Sequence, residues 1–306
     1  MSGPAGMAVR AREIGLGAAV TAMVLSAACW GLATVMSKGA LSAFSPPVLV
    51  SLQLGASVAF LWSAVGISGQ SIRFDRDTRL AALSGVLEPG LAYVFGTFGL
   101  LLTTAGNASL IATTEPLLIA ALAWMLFRDK VRPATVAAIL AAMAGVAMVT
   151  GAHGAGSGES PLGDFLVVLG TLFAALYVVA SSRLVTKVEP LALAALQQSV
   201  GLIFALGFLF VWSPGSLRVE LANGDWDILA LALLSGIVQY ALAFWLYLVG
   251  LKRLPASTAA LFLTLTPVFG IGGAALFLGE QVTLWQAAGT LVILVSVALA
   301  SQVARK

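Results

Sequence analysis

One cysteine, one histidine and few charges set the first limits on this chain. A lone thiol, Cys29, cannot build a disulfide framework, and a lone imidazole, His153, leaves most histidine-built metal sites without ligands. No HExxH, GxSxG or GxxxxGK[ST] pattern occurs, so zinc-peptidase, serine-hydrolase and P-loop chemistry lack their residues. No metal and no cofactor is expected, and the chain carries no ATPase of its own. Asp, Glu, Lys and Arg make up 9% of the sequence, against about 25% in a soluble domain. Most of the chain therefore meets lipid or protein rather than water. The net charge of +3 does not point to nucleic acid, because the placement of the basic residues accounts for the excess.

Apolar residues are what the chain has in abundance, at 60%. A spanning helix needs roughly 20 mostly apolar residues. Ten segments qualify, at about 15–36, 46–67, 79–102, 106–127, 133–150, 162–182, 191–212, 226–250, 256–278 and 283–303. They use Gly, Ala and Leu with no period of two, which predicts helices and not a barrel. Arg10 and Arg12 precede the first segment, and "LSAACW" looks like a lipoprotein cleavage site. The apolar run is too long for a signal sequence and continues past Cys29, so cleavage is not expected.

Lysine and arginine set the orientation. With the N-terminus in the cytoplasm, the inner ends receive Arg10, Arg12, Arg73, Arg76, Arg79, Arg128, Lys130, Arg132, Arg183, Lys187, Lys252, Arg253, Arg305 and Lys306. The outer ends receive only Lys38 and Arg218. That split of 14 to 2 follows the positive-inside rule and predicts both termini in the cytoplasm.

The chain also repeats itself. A shift of 151 residues carries Pro116 onto Pro267, "LAALSG" (80–85) onto "LALLSG" (231–236) and Gly99-Leu100 onto Gly250-Leu251. A shift of 144 carries Pro46, Leu52, Gln53 and Phe60 onto Pro190, Leu196, Gln197 and Phe204. The pattern is two copies of a five-helix unit, 1–150 and 162–306, joined by the external linker 151–161. Five is odd, so the copies are inverted. Inverted halves accompany alternating access, with a site near the midplane between them.

The chain resembles the drug/metabolite transporter superfamily, in its ten-helix branch of EamA-type exporters. The likeness rests on the Trp30…Lys38 spacing, the prolines of the fourth and ninth segments, and the acidic residue after each of those segments, in "FRDKV" (127–131) and "FLGEQV" (277–282). Within the superfamily it looks most like bacterial inner-membrane exporters of aromatic and other amino acids. The resemblance implies an all-α basket of ten transmembrane helices around a central cavity, with the fifth and tenth at the periphery.

Two Glu-Pro pairs lie within apolar segments. Glu115 is about nine residues into the fourth segment, close to the midplane at about 1.5 Å per residue, and Glu88 reaches a similar depth in the third. A carboxylate there costs a few kcal/mol and marks a functional candidate. Pro89, Pro116 and Pro267 are expected to break helices and free carbonyls toward a cavity. The repeat pairs Glu115 with Thr266 and Glu88-Pro89 with Gln239-Tyr240, so the carboxylates belong to one half only. An asymmetric charge in a symmetric frame suits holding an ammonium or a proton; the alternative is a protonated acid acting as packing glue.

The polar and aromatic residues Gln53, Gln197, Gln239, Tyr93, Tyr240, Trp30 and Tyr177 complete the expected substrate site, the rings offering faces for an ammonium. Lys38 either attracts a carboxylate or snorkels at the interface. Asp129 and Glu280 read as helix-end anchors, His153 as a loop residue, and Trp62, Trp124, Trp212, Trp226 and Trp285 as interfacial belts. The small-residue ridge at 134–148 reads as a helix-packing face. The expected function is export of neutral or aromatic amino acids by a monomeric secondary transporter of the bacterial inner membrane, with organic cations or other small metabolites as the alternative cargo. Phosphorylated cargo is disfavoured, because no mid-helix Lys or Arg is at hand to pair it. An enzyme would need a nucleophile–base pair or a metal cluster.

Overall fold

Proline sits at the start of many of the helices. A computed structural model of the protein describes residues 15–70, 72, 75–102, 111–149, 160–223, 225–278 and 281–303, and every regular element among them is helical. Arg10, Arg12, Arg73, His153, Glu280, Arg305, Lys306, residues 151–159 of the linker and the start of the fourth segment near Gly106 lie outside the described residues.

The order begins with α1 (Leu16–Ala40), α2 (Pro46–Ser68) and α3 (Arg76–Ser84). α3 continues through a π-helical turn (Val86–Leu91) into α4 (Ala92–Leu102). α5 (Glu115–Phe127), α6 (Pro133–Val149), α7 (Pro161–Leu184), α8 (Pro190–Trp212) and the short α9 (Ser216–Asn223) follow. α10 (Trp226–Gly236) passes through a second π-helical turn (Ile237–Leu242) into α11 (Ala243–Leu251). α12 (Ala256–Leu263), α13 (Thr266–Leu278) and α14 (Leu284–Val303) complete the chain. The segments expected to be apolar helices are helical over most of their described length, interrupted by turns at 113–114 and 264–265; α9 was not expected.

Local chemistry explains the ends. Pro46, Pro116, Pro161 and Pro190 occupy first turns, where the missing amide has no helical partner to lose. Asp75 caps α3, its carboxylate accepting from the Thr78 amide at 2.9 Å and the Thr78 hydroxyl at 3.0 Å. Those two bonds hold its carboxyl below the ordinary aspartate range. α2 stops at Gly69 (φ 64°) and α5 at Arg128 (φ 57°), both left-handed.

Among the described residues, six helical stretches are long and apolar enough to cross a membrane: Leu16–Ala40, Pro46–Ser68, Pro161–Leu184, Pro190–Trp212, Trp226–Leu251 and Ala256–Phe277. Glu115–Phe127, Pro133–Val149 and Leu284–Ala300 are shorter apolar helices. Trp124, Trp226 and Trp285 are exposed, as a lipid-facing belt requires. The protein is a multi-pass membrane protein.

The irregular places recur at the repeat spacing. The two π-helical turns are offset by 151 residues, and so are the breaks at 113–114 and 264–265. In the first π turn Glu88 is extended (φ −147°, ψ 130°), as crowding by the following proline favours, and the Glu88–Pro89 peptide is cis. The second π turn, "IVQYAL", has no proline. The widening is common to both places, while the proline is present in one only.

α1 packs on α11 and α13, and α7 packs on α4 and α5. α2 packs on α8 and α10, α8 on α3, and α6 on α14. Helices far apart in the chain thus pack together, α1 against α11 and α13 and α7 against α4 and α5. Glycines make these approaches possible. A Cβ on Gly85 would lie 2.3 Å from the Gln197 carbonyl oxygen, and one on Gly236 would lie 2.4 Å from the Gln53 Cα. The ridge at 134–148 packs as expected: a Cβ on Gly145 would meet the Gly289 carbonyl oxygen at 2.8 Å.

Ion pairs gather at one end. Arg183 meets Asp129 at 2.6 Å and stacks over Phe127 at 4.3 Å, Lys187 meets Asp77 at 2.8 Å, and Lys252 meets Glu189 at 2.8 Å. At the other end Glu220 of α9 accepts from the Ser45 amide (2.8 Å) and hydroxyl (2.7 Å).

Candidate functional site

The two broken helices and the two π-helical turns converge on one cavity of about 360 Å³. Glu88 enters its wall from the first π turn and Gln239 from the second. Ala112, Thr113, Glu115 and Pro116 come from the break before α5; Leu263, Thr264, Thr266 and Pro267 come from the equivalent break before α13. Both prolines thus stand where chain breaks face a cavity. α1 supplies Trp30 and Thr34, α6 Val146, α7 Tyr177 and Val178, and α11 Phe244 and Tyr247.

The aromatic wall is continuous. The Trp30 ring lies 5.2 Å from Phe244 and 5.6 Å from Tyr247, and Tyr177 lies 5.8 Å from Phe244. Among the described residues the lining holds two carboxylates and no Lys, Arg or His. The cavity is electronegative in its side chains and aromatic in its surface, which suits an amine on an apolar body. No group of three or more potential metal ligands occurs among the described residues.

Of the residues expected at a site, Trp30, Glu88, Glu115, Tyr177, Gln239, Pro116 and Pro267 line this cavity. Gln53, Gln197, Tyr93, Tyr240, Lys38 and Pro89 do not. Gln53 and Gln197 are buried in two equivalent knots. Gln53 Nε2 donates to Ser37 Oγ (2.8 Å) and Ser235 Oγ (2.9 Å); Gln197 Nε2 donates to Ser181 Oγ (3.0 Å) and Ser84 Oγ (2.9 Å). Ser37 and Ser181 are 144 residues apart, and Ser84 and Ser235 are 151 apart.

Each knot reaches the cavity by one further bond. Ser37 Oγ donates to Gln239 Oε1 at 3.1 Å, and Tyr177 OH donates to Gln197 Oε1 at 2.9 Å. The two glutamines therefore orient lining groups. Tyr93 packs on Tyr240 at 5.5 Å, and Tyr240 stacks behind Phe244 at 6.2 Å. Lys38 is exposed in the last turn of α1, where a cation complements the helix dipole. Pro89 packs toward Gly201, whose Cβ would lie 2.1 Å from the proline Cγ.

Thr34, Phe244, Tyr247, Thr264 and Thr266 are lining residues that sequence reasoning missed. Helical spacing points to three of them: Thr34 is four residues after Trp30, and Phe244 and Tyr247 follow Tyr240 by four and seven.

The EamA-like transporter family profile matches residues 17–151 and again 161–302, nearly the whole chain. The chain belongs to the EamA-like transporter family. An uncharacterised transporter of Archaeoglobus fulgidus is 26% identical over 277 residues, covering 90% of this chain and 95% of that one. The uncharacterised transporter YvbV of Bacillus subtilis is 28% identical over 279 residues, covering 88% and 87%. A crystal structure of another protein superposes with a TM-score of 0.76 at 21% identity, over 93% of this chain and 98% of that one. At that identity the likeness speaks for the fold alone. This EamA-like protein is accordingly a transporter of small molecules, and its homologues are transporters rather than enzymes.

Proposed function

We propose that this protein is a monomeric exporter of amine-bearing small molecules, neutral and aromatic amino acids foremost, working by alternating access in the bacterial inner membrane. In this reading ten transmembrane helices form two inverted five-helix repeats, 1–150 and 162–306, with both termini cytoplasmic. The matched π-helical turns, the matched breaks and the paired glutamine knots support the repeat. The ion-paired end carries Asp129, Arg183, Lys187 and Lys252, where the lysine and arginine count puts the cytoplasm.

The observation that carries the cargo is the cavity itself: both halves build it, and it joins Glu88 and Glu115 to an aromatic wall. A substrate ammonium beside the carboxylates and an apolar side chain against Trp30, Phe244 and Tyr247 fill it with complementary chemistry. Organic cations form a second reading, favoured by the lack of any basic side chain among the described lining residues.

The test is uptake by purified protein in liposomes. Radiolabelled Phe, Thr, Met and Glu are compared with and without a proton gradient, for wild type and Glu115→Gln. Saturable flux of the neutral amino acids, lost in the variant, is the expected result. Flux of a quaternary amine with none of any amino acid would replace the first reading by the second.

A further inference from the structure

Two clefts meet at the ion-paired end of the molecule, apart from the central cavity. The larger, of about 610 Å³, runs between α2, the start of α8 and α11. Phe60, Ala64, Ile67, Leu191, Trp245 and Val249 form its wall. The hydroxyls beside them, on Ser63 and Ser68, bond to carbonyls of their own helix at Ala59 and Val65, so the surface offered is apolar. Ile67 is 88% exposed, so this wall opens outward from the bundle. The smaller cleft, of about 240 Å³, is polar and carries Asp75, Thr78, Lys187 and Glu189. Gln70 and Glu189 belong to both linings, which makes the two clefts one amphipathic groove.

The dimensions fit a lipid. From Ser68 to Phe60 the apolar arm follows α2 for about 12 Å, at about 1.5 Å per residue. One leaflet of hydrocarbon is about 15 Å deep, half of a core of about 30 Å. The apolar arm thus reaches most of the way through a leaflet, and the polar arm sits at the level of its headgroups. The charges select the head. Among the described residues the polar arm sets two carboxylates, Asp75 and Glu189, against one cation, Lys187. A net anionic head meets like charge there, whereas a head with an ammonium and a phosphate finds a partner for each. Glu189 already holds the Lys252 ammonium at 2.8 Å, and Lys187 holds the Asp77 carboxylate at 2.8 Å. Glu189 is 55% and Lys187 53% exposed, so these pairs are weak and open to sharing. Gln70 adds a second observation: its buried Oε1 has no hydrogen-bond partner among the described residues. A primary ammonium brings three N–H donors, and a quaternary one brings none.

We propose that this groove binds one phospholipid with a zwitterionic, primary-amine head. The ammonium lies among Glu189, Asp75 and Gln70, the phosphate meets Lys187, and an acyl chain runs along Phe60, Ala64 and Trp245.

Trp245 is the reporter. Full-length protein is reconstituted in phosphatidylcholine vesicles holding a small fraction of phosphatidylethanolamine or phosphatidylglycerol with brominated acyl chains. Quenching of tryptophan fluorescence in wild type is compared with that in Trp245→Phe, which isolates the Trp245 signal. That signal is expected to be quenched at about fivefold less brominated phosphatidylethanolamine than phosphatidylglycerol, the scale of one exposed ionic contact. Glu189→Gln and Lys187→Gln, both at exposed positions, should each remove most of that preference. Equal quenching of Trp245 by the two lipids in wild type would reduce the groove to ordinary contact with bulk lipid and overturn the proposal. A preference for phosphatidylglycerol, or a preference unchanged in both variants, would overturn the assigned head. No quenching of Trp245 by either lipid would show that no acyl chain enters the groove.

Discussion

Gln197 and Gln198 are neighbours in α8, both fully buried, and they should respond to the same substitution with opposite sign. Gln197 donates to Ser84 and Ser181 and accepts from Tyr177. Neither the Nε2 nor the Oε1 of Gln198 has a hydrogen-bond partner among the described residues. Methionine matches glutamine in length and has no strong polar atom. In Gln197→Met the two bonds to serine disappear at about 0.6 kcal/mol each, the usual worth of a side-chain bond between membrane helices. Tyr177 OH loses its acceptor while buried, at about 1–3 kcal/mol. Ser84 Oγ keeps its 2.7 Å bond to the Ala81 carbonyl, so that hydroxyl adds little. The sum is a loss of roughly 2–4 kcal/mol. In Gln198→Met no bond is broken and an unpaired amide is removed, so stability holds or rises by up to about 2 kcal/mol. Equilibrium unfolding of the purified protein in micelles, followed by circular dichroism, measures both. Equal destabilisation by the two substitutions would refute the knot, since it would show that any polar atom at this depth is worth the same.

Gly85→Val and Gly236→Val should each destabilise by about 3 kcal/mol or more, because the new side chain meets Gln197 or Gln53 backbone well inside van der Waals contact; Gly55→Val, where nothing lies within 4 Å, is the control in the same unfolding assay. The Asp75 cap has a pH signature. Its carboxyl is held low by Thr78, so its contribution is present above the ordinary aspartate range and is lost as pH falls through the depressed folded value. Hydrogen exchange at the Thr78 amide should accelerate over that acid window, and Asp75→Asn should remove the pH dependence. The Arg183–Asp129 pair is 46% and 36% exposed, so Arg183→Gln should cost less than about 1 kcal/mol in unfolding.

Hydropathy, repeat spacing and two Glu-Pro pairs in the sequence predicted a helical membrane protein of duplicated design, and the family profile places it among EamA-like transporters. Apolar runs of spanning length leave the backbone one way to satisfy its own hydrogen bonds in lipid, so helix content is a local property and legible from the chain. The two carboxylates stood out for the same reason, since an acid in an apolar run is costly in lipid whatever its neighbours in space. Pro116 and Pro267 stood out as candidate break sites because the missing amide acts on the residues next to it. What a polar residue within a helix does could not be read this way. Gln53 and Gln197 looked like lining groups, yet the close approach allowed by Gly85 and Gly236 buries them between helices, one bond behind the cavity wall. Phe244 and Tyr247 carried no anomaly, because aromatics are ordinary in membrane helices. Only the packing of α1 against α11 turns them toward Trp30. The sequence by itself determined the helices and the carboxyl groups set within apolar runs, because each depends on neighbours along the chain. The tertiary structure alone decided which side chains share one cavity, because that depends on helix rotation and on contacts between residues more than a hundred positions apart.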